Sequence, residues 1–346
     1  MATTPLHRVP SAQQESVTPV RIFNALNAYK QTQALKAAIQ LDLFTAIGEG
    51  NDTAEKLALR LQASARGCRI LCDYLTVDHF LNKSGDRYSL TPESAMFLDR
   101  NSPAYLGSTA HFLTHPTITP RFDAIAECVK NGGSVNSDHL EPDSPVWSEF
   151  ARSMAPMIRM PAMAVADVVL SQHPNPRRVL DIAAGHGLFG ITLAQRVPKL
   201  EVVAVDWPSV LQVATENADG AGIRDRYRTL PGSAFEVAFG NSYDVVLITN
   251  LMHHFDAQSN ENLLQKAHNA LVPGGLVAVL EFVPNEDRVS PPEPAQFALT
   301  MLTVTPGGDA YTFPELKQMF QNAGLQHITL HELPLPMFRM VTARSA

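Results

Sequence analysis

Apolar positions recur at helical spacing in the first part of the chain and in short strand-like runs in the second. From Val20, the residues Ile22, Leu26, Tyr29, Ala34, Leu35, Ile39, Leu43 and Phe44 stand mostly three or four apart until Gly48 and Gly50 interrupt them. That is the period of an amphipathic helix. Thr53-Ala-Glu-Lys-Leu opens another helix, and Ser64 precedes a third through Ile70, Leu71, Tyr74 and Leu75. Phe80 to Leu90 reads as two short strands around a Ser-Gly-Asp turn. Helices followed by a hairpin predict a winged-helix-like domain over 19–100. Residues 1–18, with Pro5, Pro10, Gln13 and Gln14 and little periodicity, read as a loose tail.

A second domain is expected over 101–346. Its first part, 101–170, is mostly helical and punctuated by Pro103, Pro116, Pro120, Pro142 and Pro145. From 171 onward, buried-strand patterns alternate with helix-length segments. The strands predicted are Arg178–Ile182, Glu201–Val205, Tyr243–Thr249 and Leu276–Phe282, with a last pair, His327–Leu330 and Met337–Thr342, after a helix from Phe313 to Ala323. Such alternation predicts an α/β fold with a doubly wound, mostly parallel sheet covered on both faces. The Pro-rich stretch Pro284–Pro294 reads as a loop over the sheet's carboxyl edge.

Composition narrows the function classes. A chain of 346 residues with 45% hydrophobic and 18% charged residues is that of an ordinary globular protein. A net charge of -7 argues against broad nucleic-acid binding. No apolar run approaches the ~20 residues of a membrane span, and no signal-peptide core follows Met1, so a cytoplasmic location is expected. Three cysteines make no disulfide framework. A winged helix could also belong to a DNA-binding regulator. Over 51–100, however, seven basic residues meet seven acidic ones, which leaves no basic face for phosphate.

The strongest motif follows the first strand of the sheet. Val179-Leu-Asp181-Ile-Ala183-Ala-Gly185-His-Gly187-Leu-Phe-Gly190 holds a G-x-G-x-x-G between strand and helix, and Asp206 ends the next strand about 20 residues later. The obvious ligand is a dinucleotide, and the function would then be a nicotinamide-dependent oxidoreductase. Asp181 weighs against it, because a carboxylate there would face an anionic pyrophosphate. S-adenosylmethionine (SAM) fits better: it carries an ammonium, a sulfonium and a ribose for Asp206, and has no phosphate. A purely structural turn is the remaining reading.

These residues resemble the caffeate-type and hydroxyindole-type O-methyltransferases and their bacterial relatives, from about residue 20 to 343. Leu41-Asp-Leu-Phe, Thr53-Ala-Glu-Lys-Leu and Tyr88-Ser-Leu-Thr-Pro-Glu-Ser are similar to the family's dimerisation domain. Val179 to Gly187 resembles the first SAM motif, Ala204-Val-Asp-Trp-Pro the ribose motif, and Gly232-Ser-Ala-Phe the adenine contact. Tyr243 to Phe255 resembles the strand leading to the catalytic histidine, and Ala270-Leu-Val-Pro-Gly-Gly and Thr305-Pro-Gly-Gly complete the order. The resemblance implies a class I methyltransferase Rossmann-like sheet behind a dimerisation domain, SAM as methyl donor, a small-molecule acceptor and a homodimer. It also implies SAM contacts at Asp181, Ala183, Gly185, Gly187, Asp206, Trp207, Ser233, Ala234 and Phe235. The chain departs from the family pattern at Ala183 (a usual glycine), at Ser233 (a usual Asp) and at Ala310 (a usual acid), with Asp309 adjacent.

Methyl transfer from a sulfonium needs alignment of nucleophile, methyl and sulfur. A phenol, with a pKa of about 10, also gains from a general base. The candidates are His253 and His254, at the end of the fourth strand, and the resemblance selects His253 with His254 as fallback. Glu281, ending the fifth strand, is the carboxylate expected to orient the imidazole. An amine or carbon acceptor could instead be methylated by positioning alone. His111-x-x-x-His115 lacks a third metal ligand, and Cys68 and Cys72 suit helix packing, so no metal is expected. Met154, Met157, Met160 and Met163 form a helical stripe that either packs a core or walls the acceptor pocket. Trp207 either covers the adenine or packs on the sheet.

Overall fold

The computed structural model describes residues 17–135 and 143–346. The tail reading falls almost wholly on residues 1–16, and Pro142 on 136–142, both outside the described residues. The chain forms two compact units, Met1–Tyr105 and Leu106–Ala346.

The first unit runs α1 (Val20–Gln40), α2 (Leu43–Gly48), α3 (Ala54–Leu61), α4 (Ala65–Val77), β1 (Leu81–Ser84), β2 (Arg87–Leu90) and α5 (Pro92–Phe97). Its helix starts are set by side-chain caps: Thr53, Ser64 and Thr91 each accept a backbone N–H three residues on. Phe44, Leu57, Cys72, Leu75 and Leu81 fill its core. β1 and β2 pair antiparallel around Gly85, whose φ of 62° suits the turn. α1 is different. Val20, Ile22, Phe23, Leu26 and Tyr29 all stand exposed along it.

The second unit opens with α6 (Thr109–Leu113), α7 (Ile125–Asn131) and α8 (Pro145–Gln172). Strands and helices then alternate: β3 (Arg178–Ile182), α9 (Leu188–Arg196), β4 (Glu201–Asp206), α10 (Pro208–Gly220) and β5 (Tyr227–Pro231). They continue as β6 (Tyr243–Thr249), α11 (Ala257–Ala270), β7 (Leu271–Glu281), α12 (Pro292–Val304), α13 (Phe313–Asn322), β8 (Gln326–Glu332) and β9 (Arg339–Arg344). The seven strands are ordered β5-β4-β3-β6-β7-β9-β8, parallel throughout except for β9. One face of the sheet buries Val179, Val202, Val245 and Leu276 with residues of α8 and α9. The other buries Leu180, Val246, Val277 and Val341 with α11 and α13. The order reverses between β3 and β6, and the carboxyl ends of the strands around such a reversal form a ligand crevice.

Three expectations are corrected. β5 escapes the sequence pattern because only Tyr227 of its five residues is buried, so an edge strand reads as loop. The stretch Pro284–Pro294 is loop only to Pro291, because Pro292 starts α12 at a position where proline's missing N–H costs nothing. α8 is, by length and composition, apolar enough to cross a bilayer. It instead buries Ala151, Ile158, Ala162, Val165, Ala166 and Val169 inside the unit, as a core helix does.

Candidate active site

The carboxyl ends of β3, β4, β6 and β7 carry the predicted chemistry. After β3 the chain turns through Ala183, Gly185 and Gly187, all at positive φ (52°, 58° and 76°), into the N-terminus of α9. Two glycines are required by close approach. A Cβ at Gly187 would stand 2.5 Å from the Tyr227 hydroxyl, and one at Gly190 would stand 2.9 Å from Asp181 Oδ2.

Asp181 lies wholly beneath this loop, with no exposed surface. Its Oδ2 accepts the Gly190 N–H at 3.1 Å, and its Oδ1 has no protein partner. Burial pushes the carboxyl up to about 7, the Gly190 N–H pulls against that shift, and nearby Asp206 adds to it. Asp206, at the end of β4, accepts Gly185 N–H at 2.8 Å through Oδ2 and Trp207 N–H at 2.7 Å through Oδ1. Burial raises it to about 6, against those two hydrogen bonds. Two acids thus sit at neighbouring strand ends with no cation beside them among the described residues. An anionic pyrophosphate would worsen their repulsion, whereas the cationic SAM would relieve it. The residues present fit SAM.

The loop after β5 is tied to the same strand end, since Gly232 N–H donates to Asp206 O at 2.9 Å. Ser233 spends its Oγ on the Phe235 N–H at 3.2 Å, and its carbonyl accepts the Glu236 and Val237 N–H groups. Lys266 of α11 donates to Ala234 O at 2.8 Å and so closes the loop from below. Phe235 packs edge-on against Phe255, with centroids 4.8 Å apart. Trp207 and Trp147 both pack against the cluster of Ala151, Val210 and Val213.

His253 and Glu281 meet at the ends of β6 and β7. His253 Nδ1 lies 2.6 Å from Glu281 Oε2, and both side chains are buried. The other oxygen, Oε1, accepts the N–H groups of Leu251 (2.9 Å), Met252 (2.7 Å) and His253 (3.4 Å). The His253 ring has Phe297 at 4.7 Å, His254 at 4.4 Å and Phe282 at 5.9 Å. His254 packs edge-on to Trp147, and burial, with His253 adding to it, holds this second imidazole well below the usual range. Through Trp147 and Phe255 the histidine turn adjoins the strand end of Asp206 and the loop of Ser233.

Ala310 is buried, and Asp309 faces elsewhere: its carboxylate pairs with Arg288 at 3.4 Å and accepts the Ala310 N–H. The Met stripe splits, with Met154 and Met157 half-buried and Met160 and Met163 exposed. Four residues at the site carry no motif signal: Tyr227, Asn260, Lys266 and Tyr311. The last three act on backbone carbonyls, a role that many residue types at many spacings can fill.

Residues 179–275 match the family model of the methyltransferase domain, and residues 23–100 match that of the O-methyltransferase dimerisation domain. The chain is 28% identical over 317 residues, 90% of each chain, to 3-hydroxy-5-methyl-1-naphthoate 3-O-methyltransferase of Streptomyces sahachiroi. A crystal structure of a protein assigned as an O-methyltransferase from Nostoc punctiforme superposes with TM-score 0.93 at 47% identity, over 95% of this chain and 100% of that one. Human N-acetylserotonin methyltransferase in complex with SAM superposes with TM-score 0.83 at 19% identity, over 97% and 99%. The chain therefore belongs to the SAM-dependent O-methyltransferases that carry an N-terminal dimerisation domain.

Proposed function

We propose that the protein methylates a phenolic hydroxyl of a small aromatic acceptor, with His253 as general base and Glu281 as its orienting carboxylate. The observation that carries this reading is the 2.6 Å contact between His253 Nδ1 and Glu281 Oε2. It commits Nδ1 to the carboxylate and leaves Nε2 as the proton acceptor for the hydroxyl. The imidazolium formed then lies against a buried carboxylate already held by backbone N–H groups, as in other carboxylate-oriented histidines. His254 is the weaker candidate, because its surroundings disfavour the charged form. SAM, when bound, would supply the methyl group from its sulfonium, leaving a neutral thioether that needs no acid. Asp206 would hold the ribose hydroxyls, the loop at Ser233, Ala234 and Phe235 the adenine, and Asp181 would act from beneath the loop that runs through Ala183, Gly185 and Gly187.

His253→Ala should lower turnover of a phenolic probe such as a hydroxynaphthoate by about 10²-fold or more, with SAM affinity retained. Glu281→Gln should lower it too, and His254→Ala should not. Ala310, in place of an acid, supports a second reading in which an amine or carbon acceptor is methylated by positioning alone. Unchanged turnover in His253→Ala would select that reading. We also assign 19–100 to homodimer formation and 101–346 to methyl transfer, on the strength of the matched domains.

A further inference from the structure

The turn that carries His253 is held from two sides. Its N–H groups converge on Glu281 Oε1. Its carbonyls are held by Asn260, fully buried near the start of α11, and by Tyr311, shortly before α13. Asn260 Nδ2 donates to Met252 O at 2.9 Å and to Phe255 O at 3.1 Å, spanning His253 and His254. The Tyr311 hydroxyl donates to the same Phe255 O at 2.6 Å. Burial pushes that hydroxyl up to about 12, so it stays a donor at neutral pH. The segment leading to Tyr311 presses on the same turn, because a Cβ at Gly308 would stand 2.1 Å from His253 O.

We infer that Asn260 and Tyr311 are positioning residues for His253, a reading that rests on His253 being the base. Both amide protons of Asn260 are committed to carbonyls of this turn, the buried Met252 O and the part-buried Phe255 O. Moving the turn would strand one of them, which costs more than an ordinary hydrogen bond contributes. Asp309 is turned to Arg288, so Glu281 is the carboxylate that touches the imidazole. The clamp on the carbonyls supplies the second constraint: with the backbone fixed on both sides, the ring keeps Nδ1 on Oε2 and Nε2 toward the acceptor. It also spans the site, since Phe255, whose carbonyl both residues hold, packs on Phe235 of the loop after β5.

The test is nitrogen NMR of SAM-loaded protein labelled at histidine, with the His253 signals identified by their loss in His253→Gln. The wild-type protein should show one imidazole species, protonated at Nδ1. In Tyr311→Phe and Asn260→Leu the ratio of tautomers should shift toward Nε2–H by roughly 2–10-fold, the range one hydrogen bond supports. SAM affinity should be unchanged by calorimetry. A merely structural role would lower the melting temperature and leave the tautomer ratio alone. Should Asn260→Leu fail to fold, Tyr311→Phe decides, since it removes a single oxygen. A wild-type ratio in Tyr311→Phe overturns the clamp. A wild-type protein protonated at Nε2 overturns the base reading instead, so the two failures are distinct.

Discussion

Ala183 shows how one residue can depart from its family without losing the turn. It holds φ 52°, a region where a Cβ costs about 1–2 kcal/mol. Glycine would remove that strain but add unfolded-state freedom worth about 0.4–1 kcal/mol. Ala183→Gly should therefore leave stability unchanged or raise it by up to about 1.6 kcal/mol, read as the midpoint of urea unfolding. A lower midpoint would mean that the methyl group makes contacts worth more than its strain. The glycine loop and its spacing make Asp181 and Asp206 legible in the sequence as candidates, whereas His253 and Glu281 stand out as candidates only by their strand-end positions and the family resemblance. Asn260 and Tyr311 were not legible. Each satisfies a carbonyl brought near only by the fold, and no spacing announces such a partner.

At the scale of elements, the neighbouring ends of β3 and β4 place a fully buried acid, Asp181, beside a half-buried one, Asp206, with consequences for pH. Asp181, raised from 3.8 to about 7, and Asp206, raised from 3.8 to about 6, both hold protons more tightly in the fold. Without ligand, these two groups cost stability above pH 7 and return it as the pH falls from 7 toward 4. His186, buried in the same loop, accepts the Leu188 N–H and is lowered from 6.5 to about 4. It acts oppositely: protonating it inside the fold costs about 3 kcal/mol more than in the unfolded chain, so this group leaves stability untouched above pH 6.5 and lowers it as pH falls from 6.5 through 4. A cationic ligand favours charged carboxylates, so SAM affinity should decline as pH falls from 7 to below 6. Calorimetry in buffers of different ionisation enthalpy should detect proton release on binding near pH 6.5 and almost none at pH 8.5. Affinity independent of pH over that span would show that neither carboxylate senses the ligand. Element boundaries were legible where burial is two-sided, as in β3 and β6. They were not at β5, whose polar residues face solvent, or at α12, whose opening prolines look like loop.

For the whole molecule, the unsolved surface is α1. Val20, Ile22, Phe23, Leu26 and Tyr29 are 57–68% exposed on one helix, more apolar surface than a soluble monomer usually leaves in one place. The helical period was readable from the sequence, but a periodic stripe predicts a buried face without saying what buries it. A second copy of the chain is the occupant that the matched dimerisation domain supports. Light scattering at micromolar concentration should then give twice 37.8 kDa. Replacing Phe23 and Leu26 by Asp removes two apolar side chains from each protomer, four per dimer at about 1.5–3 kcal/mol each, so the dimer should weaken by roughly 10⁴-fold or more and run as a monomer. SAM affinity should survive the change, because Asp181, Asp206 and the loop at Ser233 all belong to Leu106–Ala346. A wild-type monomer would remove the dimer. A double variant that stays dimeric would move the interface off α1, and one that becomes monomeric but loses SAM would show that the catalytic unit depends on pairing.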